Sequence, residues 1–379
     1  MKKVVFMALI AITMMACNQK PSYQISGTVD DESMNGKIVY LYSTSDRERT
    51  AVDSTIVKKG AFKLKGEQAE PRLMTLGFSQ KELNMKKLKD FYPIQGGFMP
   101  YEATFVVDNS KIEVQLKSRS TIAGIVENND YMALLKQLRQ TFSTLPEISE
   151  MMHSKTNTEE QKAEIERKYE ALDQQASTFV TSYIKAHLNK LTAAKLFLDY
   201  RYSLEDKIQN EILAEAGEMF KAYPMMDRQI EHLNKLNKVA IGKKYIDFEL
   251  NDLKGKPIKL SDYVGKNKVV MVDFWASWCP PCIRSIPGLL EMYKTYHKKG
   301  FEIVGVSLDQ NQKDWEEKVK ELKITWPQMS DLKGWNNAGS QLYAVNSIPH
   351  LLLIDKDGTI VARNLHGEEL EAKIKELLK

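Results

Sequence analysis

Residues 269–287 read Val-Val-Met-Val-Asp-Phe-Trp-Ala-Ser-Trp-Cys-Pro-Pro-Cys-Ile-Arg-Ser-Ile-Pro, and this stretch decides the fold of the segment around it. The unbroken apolar run from Val269 to Trp275 has the pattern of a strand buried on both faces, and the residues after Cys279 open a helix. Cys279 and Cys282 therefore sit where strand gives way to helix. There Cys279 meets the unpaired N–H groups and the positive dipole end of the helix, which favour a thiolate over a thiol. Cys282, one turn deeper, can reach back to it. A nucleophilic outer sulfur with a resolving thiol beside it is the arrangement of reversible thiol–disulfide exchange. Asp273 interrupts the apolar strand. A carboxylate buried there is costly when ionised, so its pKa is expected to be raised, and strand alternation places it on one face with Trp275 and Ser277. It is the candidate to take the proton from Cys282 when that thiol attacks a mixed disulfide. The alternative is a hydrogen-bonded core carboxylate with no catalytic part.

The order Asp273-Phe-Trp-Ala-Ser-Trp-Cys-Pro-Pro-Cys, with Pro287 beyond it, resembles the active site of the thioredoxins. It resembles more closely that of the membrane-anchored TlpA/ResA-like thiol-disulfide oxidoreductases. The resemblance implies a thioredoxin fold, a helix that kinks at Pro287, and a cis-proline loop facing the cysteines. Ser347-Ile348-Pro349, ahead of the apolar run from Leu351 to Ile354, fits that loop, so Pro349 is expected to be cis and to line the site. By the same resemblance Trp278, Pro280, Pro281, Ile348 and Pro349 contact the substrate. One departure matters: many members carry a glutamate three residues after the second cysteine, and here that residue is Ser285. Any proton-transfer role of that glutamate does not carry over, which leaves Asp273. His350 is read as a surface loop histidine, with steering of substrate or an effect on Cys279 as the alternative. Arg284 either shapes the local field or faces solvent. Trp326-Pro327 and Lys333-Gly334-Trp335 also resemble the loop ahead of the cis-proline.

At the start of the chain, Lys2 and Lys3 precede an apolar segment, residues 4–16, too short to span a bilayer as a helix, and the reading is a signal peptide. Met14-Met15-Ala16-Cys17 resembles the lipobox of bacterial lipoproteins, which implies that Cys17 is acylated and becomes the mature N-terminus. Of three cysteines, one then serves the anchor and two remain as a local pair. The alternative is an uncleaved chain with a free Cys17. Acylation places the protein in the cell envelope, where disulfides form and dithiols must be kept reduced. The net charge of +4 drops by two when Lys2 and Lys3 leave, close to neutral for 379 residues, so nucleic acid and polybasic membrane contacts are not indicated.

A chain this long should hold two or three domains. After a signal peptide at 1–16, residues 17–121 show short alternating runs broken at Asn35-Gly36, Lys59-Gly60 and Asp108-Asn109, the pattern of a small antiparallel β-sandwich. This part resembles the uncharacterised β-rich domain found ahead of thioredoxin domains in envelope lipoproteins, with Val52-Asp53-Ser54 and Gly60-Ala61-Phe62 carrying the likeness. Lys81 to Lys89, with four lysines, is a solvated loop or edge. Residues 122–238 change to helical periodicity: Tyr131, Leu134, Leu135 and Leu138 share a face, and Thr158 and Gln161 offer a capping box. Further helices are expected from Thr192, Ser203 and Pro224. Met151, Met152, Met219, Met225 and Met226 are taken mainly as core filler, with a plastic contact surface as the alternative. His153, His187 and His232 lack paired ligand spacing, so no metal is expected. Residues 239–379 read as a hairpin, the active-site strand and helix, a second buried strand from Phe301 and a helix from Asp314. A final hairpin around Asp355-Lys-Asp-Gly358 and a helix from Glu368 complete a thioredoxin-like order.

The sequence thus describes a multidomain chain: N-terminal antiparallel β-sandwich, central α-helical insert, C-terminal α/β thioredoxin fold. A lone Cys-x-x-Cys can be half a zinc site, but no second pair or nearby histidine accompanies this one, and no cofactor is called for. The expected function is an envelope thiol-disulfide oxidoreductase that reduces protein disulfides and is recharged by a membrane thiol donor. Two alternatives stand. A thiol peroxidase of the related peroxiredoxins would need threonine or serine where Ala276 stands. A binding or scaffold lipoprotein would work through its sandwich and helices.

Overall fold

The computed structural model of the chain describes residues 22–44, 49–79, 81, 83, 99–154 and 156–379. The signal segment, Cys17 and all of the lysine-rich stretch except residues 81 and 83 lie outside the described residues. The chain divides into two compact units, one ending at Asp227 and one beginning at Arg228.

Among the described residues the first unit opens with eight strands: β1 (Tyr23–Val29), β2 (Ile38–Ser43), β3 (Ala51–Ile56), β4 (Ala61–Gly66), β5 (Arg72–Phe78), β6 (Glu102–Val107), β7 (Lys111–Leu116) and β8 (Thr121–Ala123). They form two four-stranded sheets, ordered β4-β1-β7-β8 and β3-β2-β5-β6. Ile25, Leu64 and Val114 of one sheet share a core with Leu41, Leu76 and Phe105 of the other. Every neighbouring pair is antiparallel except β1 and β7, which run parallel, as the long connection between them permits. Gly27 on β1 is required by packing, since a Cβ there would fall 1.9 Å from the Phe62 ring.

Seven helices follow: α1 (Val126–Thr141), α2 (Leu145–His153), α3 (Glu159–Ala186), α4 (Leu191–Asp199), α5 (Asp206–Glu215), α6 (Glu218–Lys221) and α7 (Met226–Lys238). Tyr131, Leu134, Leu135 and Leu138 line the buried face of α1, and Thr158 with Gln161 closes the capping box of α3. The methionines differ from the core reading. Met226 is fully buried, but Met151, Met152 and Met225 are exposed, because α2 is short and buries only Ile148, and Met225 precedes α7 with a positive φ.

Asn128 of α1 ties this helix to the sandwich. Strand β6 lies at a sheet edge, and the fully buried Asn128 accepts from the Val106 N–H at 2.8 Å and donates to the Val106 carbonyl at 3.0 Å, acting as one further rung. Asn128→Ala leaves both backbone groups buried without partners, which costs roughly 2 to 4 kcal/mol. The expected result is a lower urea midpoint for the first unit, read by circular dichroism. An unchanged midpoint would show that the clamp contributes nothing.

The second unit, which takes in α7 from Arg228 onward, continues with the hairpin β9 (Glu249–Asn251) and β10 (Pro257–Lys259). Then come β11 (Val269–Trp275), α8 (Pro280–Tyr296), β12 (Phe301–Ser307), α9 (Gln312–Glu321), β13 (Gln328–Met329), α10 (Ala338–Leu342), β14 (His350–Asp355), β15 (Ile360–Arg363) and α11 (Gly367–Leu377). The main sheet runs β13-β12-β11-β14-β15, with β11, β12 and β13 parallel and β14 and β15 antiparallel to their neighbours. All seven residues of β11 are buried, as a central strand covered on both faces demands.

Candidate active site

The sheet brings two distant segments together. Because β14 runs antiparallel to β11, its first residue meets the last turns of β11, and Phe274 pairs with His350. Pro349 is thereby set beside Trp275, four residues before Cys279. The Ile348–Pro349 bond is cis, and the Ile348 carbonyl lies 3.8 Å from Cys279 Sγ. With the cysteines joined this is a contact; once they are reduced the thiol can donate to it.

Cys279 and Cys282 form a disulfide at the N-terminus of α8. Cys279 is the N-cap and Pro280 and Pro281 fill the first two helical positions, where a missing N–H costs nothing. The first N–H of the helix is consequently that of Cys282, and it donates to Cys279 Sγ at 3.2 Å. That donor is in place to stabilise negative charge on the sulfur. Both cysteines are buried, Cys282 (1 % exposed) more deeply than Cys279 (4 %). Pro280 and Pro281 are exposed around them. Trp278, 51 % exposed, stands 6.3 Å from the exposed Trp335 ring. Ser285 does not stand in for a carboxylate: its hydroxyl donates to the Cys282 carbonyl. Arg284 is exposed, and α8 continues through Pro287 without the N–H that would have bonded Ile283.

The loop between β11 and the cysteines is held by a residue that the sequence reading passed over. Buried Asp309, just past β12, accepts from the Ser277 N–H at 3.0 Å and the Ser307 hydroxyl at 2.7 Å. A carboxylate closing the buried strand segment from Phe301 to Leu308 is the available signal, parallel to Asp273.

Asp273 is 2 % exposed, and its Oδ2 has no hydrogen-bond partner among the described residues. Burial alone raises its pKa to about 7. It sits in mid-strand, at the rung of Gly305 and Leu351, on the strand that leads into Cys279.

His350 corrects the sequence reading: it is no surface histidine. It starts a strand inside the sheet, is 7 % exposed, packs edge-on against Phe274, and its Nε2 accepts from Arg363 at 3.1 Å. Burial first, and then the Arg363 charge, lowers its pKa to about 3, so the ring is neutral and offers no proton near pH 7. Among the described residues no group of three or more His, Cys, Asp or Glu is arranged to hold a metal, and no helix is long and apolar enough to cross a membrane.

The profile of the AhpC/TSA family matches residues 241–363, and that of a domain of unknown function (DUF4369) matches residues 23–131. The chain is 34 % identical over 148 residues to the thiol-disulfide oxidoreductase ResA of Bacillus cereus, covering 39 % of this chain and 82 % of that protein. It is 34 % identical over 142 residues to ResA of Geobacillus kaustophilus, covering 37 % of this chain and 79 % of that protein. Among solved structures, the thioredoxin domain of a Bacteroides vulgatus thiol-disulfide oxidoreductase is 34 % identical, with a TM-score of 0.35 over 37 % of this chain and 99 % of that one.

Proposed function

The chain belongs to the ResA-type thiol-disulfide oxidoreductases of the AhpC/TSA family, and from that premise we propose that its Cys-Pro-Pro-Cys pair reduces disulfides of other proteins in the cell envelope. The observation that carries the reading is the Cys279–Cys282 disulfide, capped by the Cys282 N–H and faced by the Ile348 carbonyl ahead of cis-Pro349.

In the reduced protein the Cys279 thiolate attacks one sulfur of a substrate disulfide. The substrate S–S bond breaks, one substrate thiolate leaves, and Cys279 is joined to the other sulfur. Asp273 takes the proton of Cys282, whose thiolate then attacks Cys279 and expels the second substrate thiolate. Two electrons have passed to the substrate, and the 279–282 disulfide remains. Trp278, Pro280, Pro281, Ile348 and Pro349 form the surface against which the substrate strand lies. A membrane thiol donor returns the pair to the dithiol.

The envelope location rests on Lys2, Lys3, the apolar residues 4–16 and the lipobox-like Met14-Met15-Ala16-Cys17. In this reading residues 1–16 are removed and Cys17 carries the lipid.

The test is the reduction potential of the pair in full-length protein carrying Cys17→Ser, by thiol trapping across defined redox buffers. A value near that of thioredoxin, about −270 mV, is expected of a reductant, whereas one near DsbA, about −120 mV, would make the protein a disulfide donor and overturn the reductive direction.

A further inference from the structure

Three neighbouring strands place Asp273, Gly305 and Gln328 on consecutive rungs, since Asp273 pairs with Gly305 and Gly305 with Gln328. Paired residues project to one face of a sheet. Gly305 has no side chain, and the space it leaves is occupied by the Gln328 amide: a Cβ on Gly305 would fall 2.2 Å from Gln328 Nε2. Gln328 is 3 % exposed. Its Oε1 accepts from the Trp275 indole at 3.0 Å, and because an indole N–H can only donate, the orientation of the amide is settled. The NH2 end is therefore the free end. Among the described residues it is buried without a hydrogen-bond partner, as is Asp273 Oδ2 across the glycine gap. A buried donor and a buried acceptor, each unpartnered and on one face of adjoining strands, are each costly alone and cancel that cost when they meet.

We propose that Gln328 is a positioning residue for Asp273, its amide N–H reaching across Gly305 to donate to the Asp273 carboxylate when that carboxylate is ionised. The proposal rests on Asp273 being the base for Cys282. Gly305 serves as the gap through which the amide reaches, and Trp275 aims it. Among the described residues no charged group competes for this role. Glu302 on β12 and His350 on β14 pair with Val270 and Phe274, which alternate to the opposite face from Asp273. On α8 the cysteines are joined to each other and Arg284 is exposed. Burial pushes Asp273 toward its neutral form, and one aimed donor opposes that push.

The experiment follows the titration of Asp273 itself by infrared or 13C-carboxyl NMR. It uses oxidised full-length protein, in which Cys279 and Cys282 do not titrate, and the signal is assigned by its disappearance in Asp273→Asn. Gln328→Met removes the amide at similar volume, and Gln328→Leu removes it with a second apolar side chain; neither adds a titrating group. Both variants are expected to raise the midpoint by about one to two pH units. A midpoint unchanged from wild type in either folded variant would overturn the proposal. The readout is the carboxyl's own equilibrium, so it is separable from the failure of the proposed function, which would show as an unaltered resolution rate in Asp273→Asn.

Discussion

Cys279→Ser is expected to abolish disulfide reduction, lowering turnover of a protein disulfide such as that of insulin by at least about 10³-fold. Cys282→Ser is expected to fail differently. Each substitution removes one sulfur of a pair whose members occupy unlike places: Cys279 caps α8 and receives its first N–H, and Cys282 is the more deeply buried. A serine at 279 has no thiolate to attack with, and the surviving Cys282 thiol is enclosed beneath it. A serine at 282 leaves the attacking sulfur intact but removes the one that releases it, because a hydroxyl does not displace a disulfide sulfur at neutral pH. Cys282→Ser should therefore accumulate a stoichiometric adduct with substrate, visible as a mass increase on non-reducing gels and lost on adding dithiothreitol. Adduct formation by Cys279→Ser instead would reverse the assignment of roles. Turnover surviving in Cys279→Ser would remove the dithiol scheme altogether.

The parts of this site differ in how far they can be read from sequence. The strand from Val269 to Trp275 announces itself because burial on both faces leaves seven apolar or neutralisable residues in a row. Strand β5 in the first unit is buried on both faces as well, but Arg72 and Thr75 break its run and it has no alternation to betray it. One face points into the sandwich, while Leu73 and Val106 on the other meet Leu191 of α4. The cysteine pair is local and therefore legible, and the cis-proline loop is legible only through resemblance, because its nearness to Cys279 depends on the pairing of β11 with β14. Asp309 and Gln328 depend on sheet register in the same way. Nothing in Trp-Pro-Gln-Met at 326–329 tells that the glutamine will lie over a glycine on one strand and take its hydrogen bond from a tryptophan on the next. His350 was misplaced for the same reason: its neighbours in sequence belong to a loop, but its partners in space, Phe274 and Arg363, belong to the sheet.

Asp273→Asn separates two consequences of one buried carboxyl, and their opposite signs identify it. Kinetically, the wild-type resolution step should quicken as pH rises through about 7 and then level, since only the ionised carboxylate can take the Cys282 proton. An asparagine cannot accept that proton, so resolution should slow by about 10² to 10⁴-fold at neutral pH while attack by Cys279 is unaffected. Stopped-flow measurement of the two phases distinguishes the steps. Thermodynamically the same change should help at pH 8. A carboxyl whose pKa is raised from 3.8 to about 7 on folding holds its proton in the folded state at pH values where the unfolded chain has lost it. Its contribution to stability is then complete below about pH 4, declines as pH rises, and levels off above about pH 7, the whole excursion being on the order of 4 kcal/mol. Asparagine carries no ionisation to oppose, but it buries an amide whose donors need partners, which returns part of the gain. For the oxidised protein the expected net effect is stabilisation by about 2 kcal/mol at pH 8 and, where no ionisation is relieved, destabilisation by about 2 kcal/mol at pH 4, read as the shift in urea midpoint at the two pH values. A loss of stability at pH 8, or a resolution rate equal to wild type, would mean that Asp273 is a satisfied core carboxyl and that the proton of Cys282 leaves by another route.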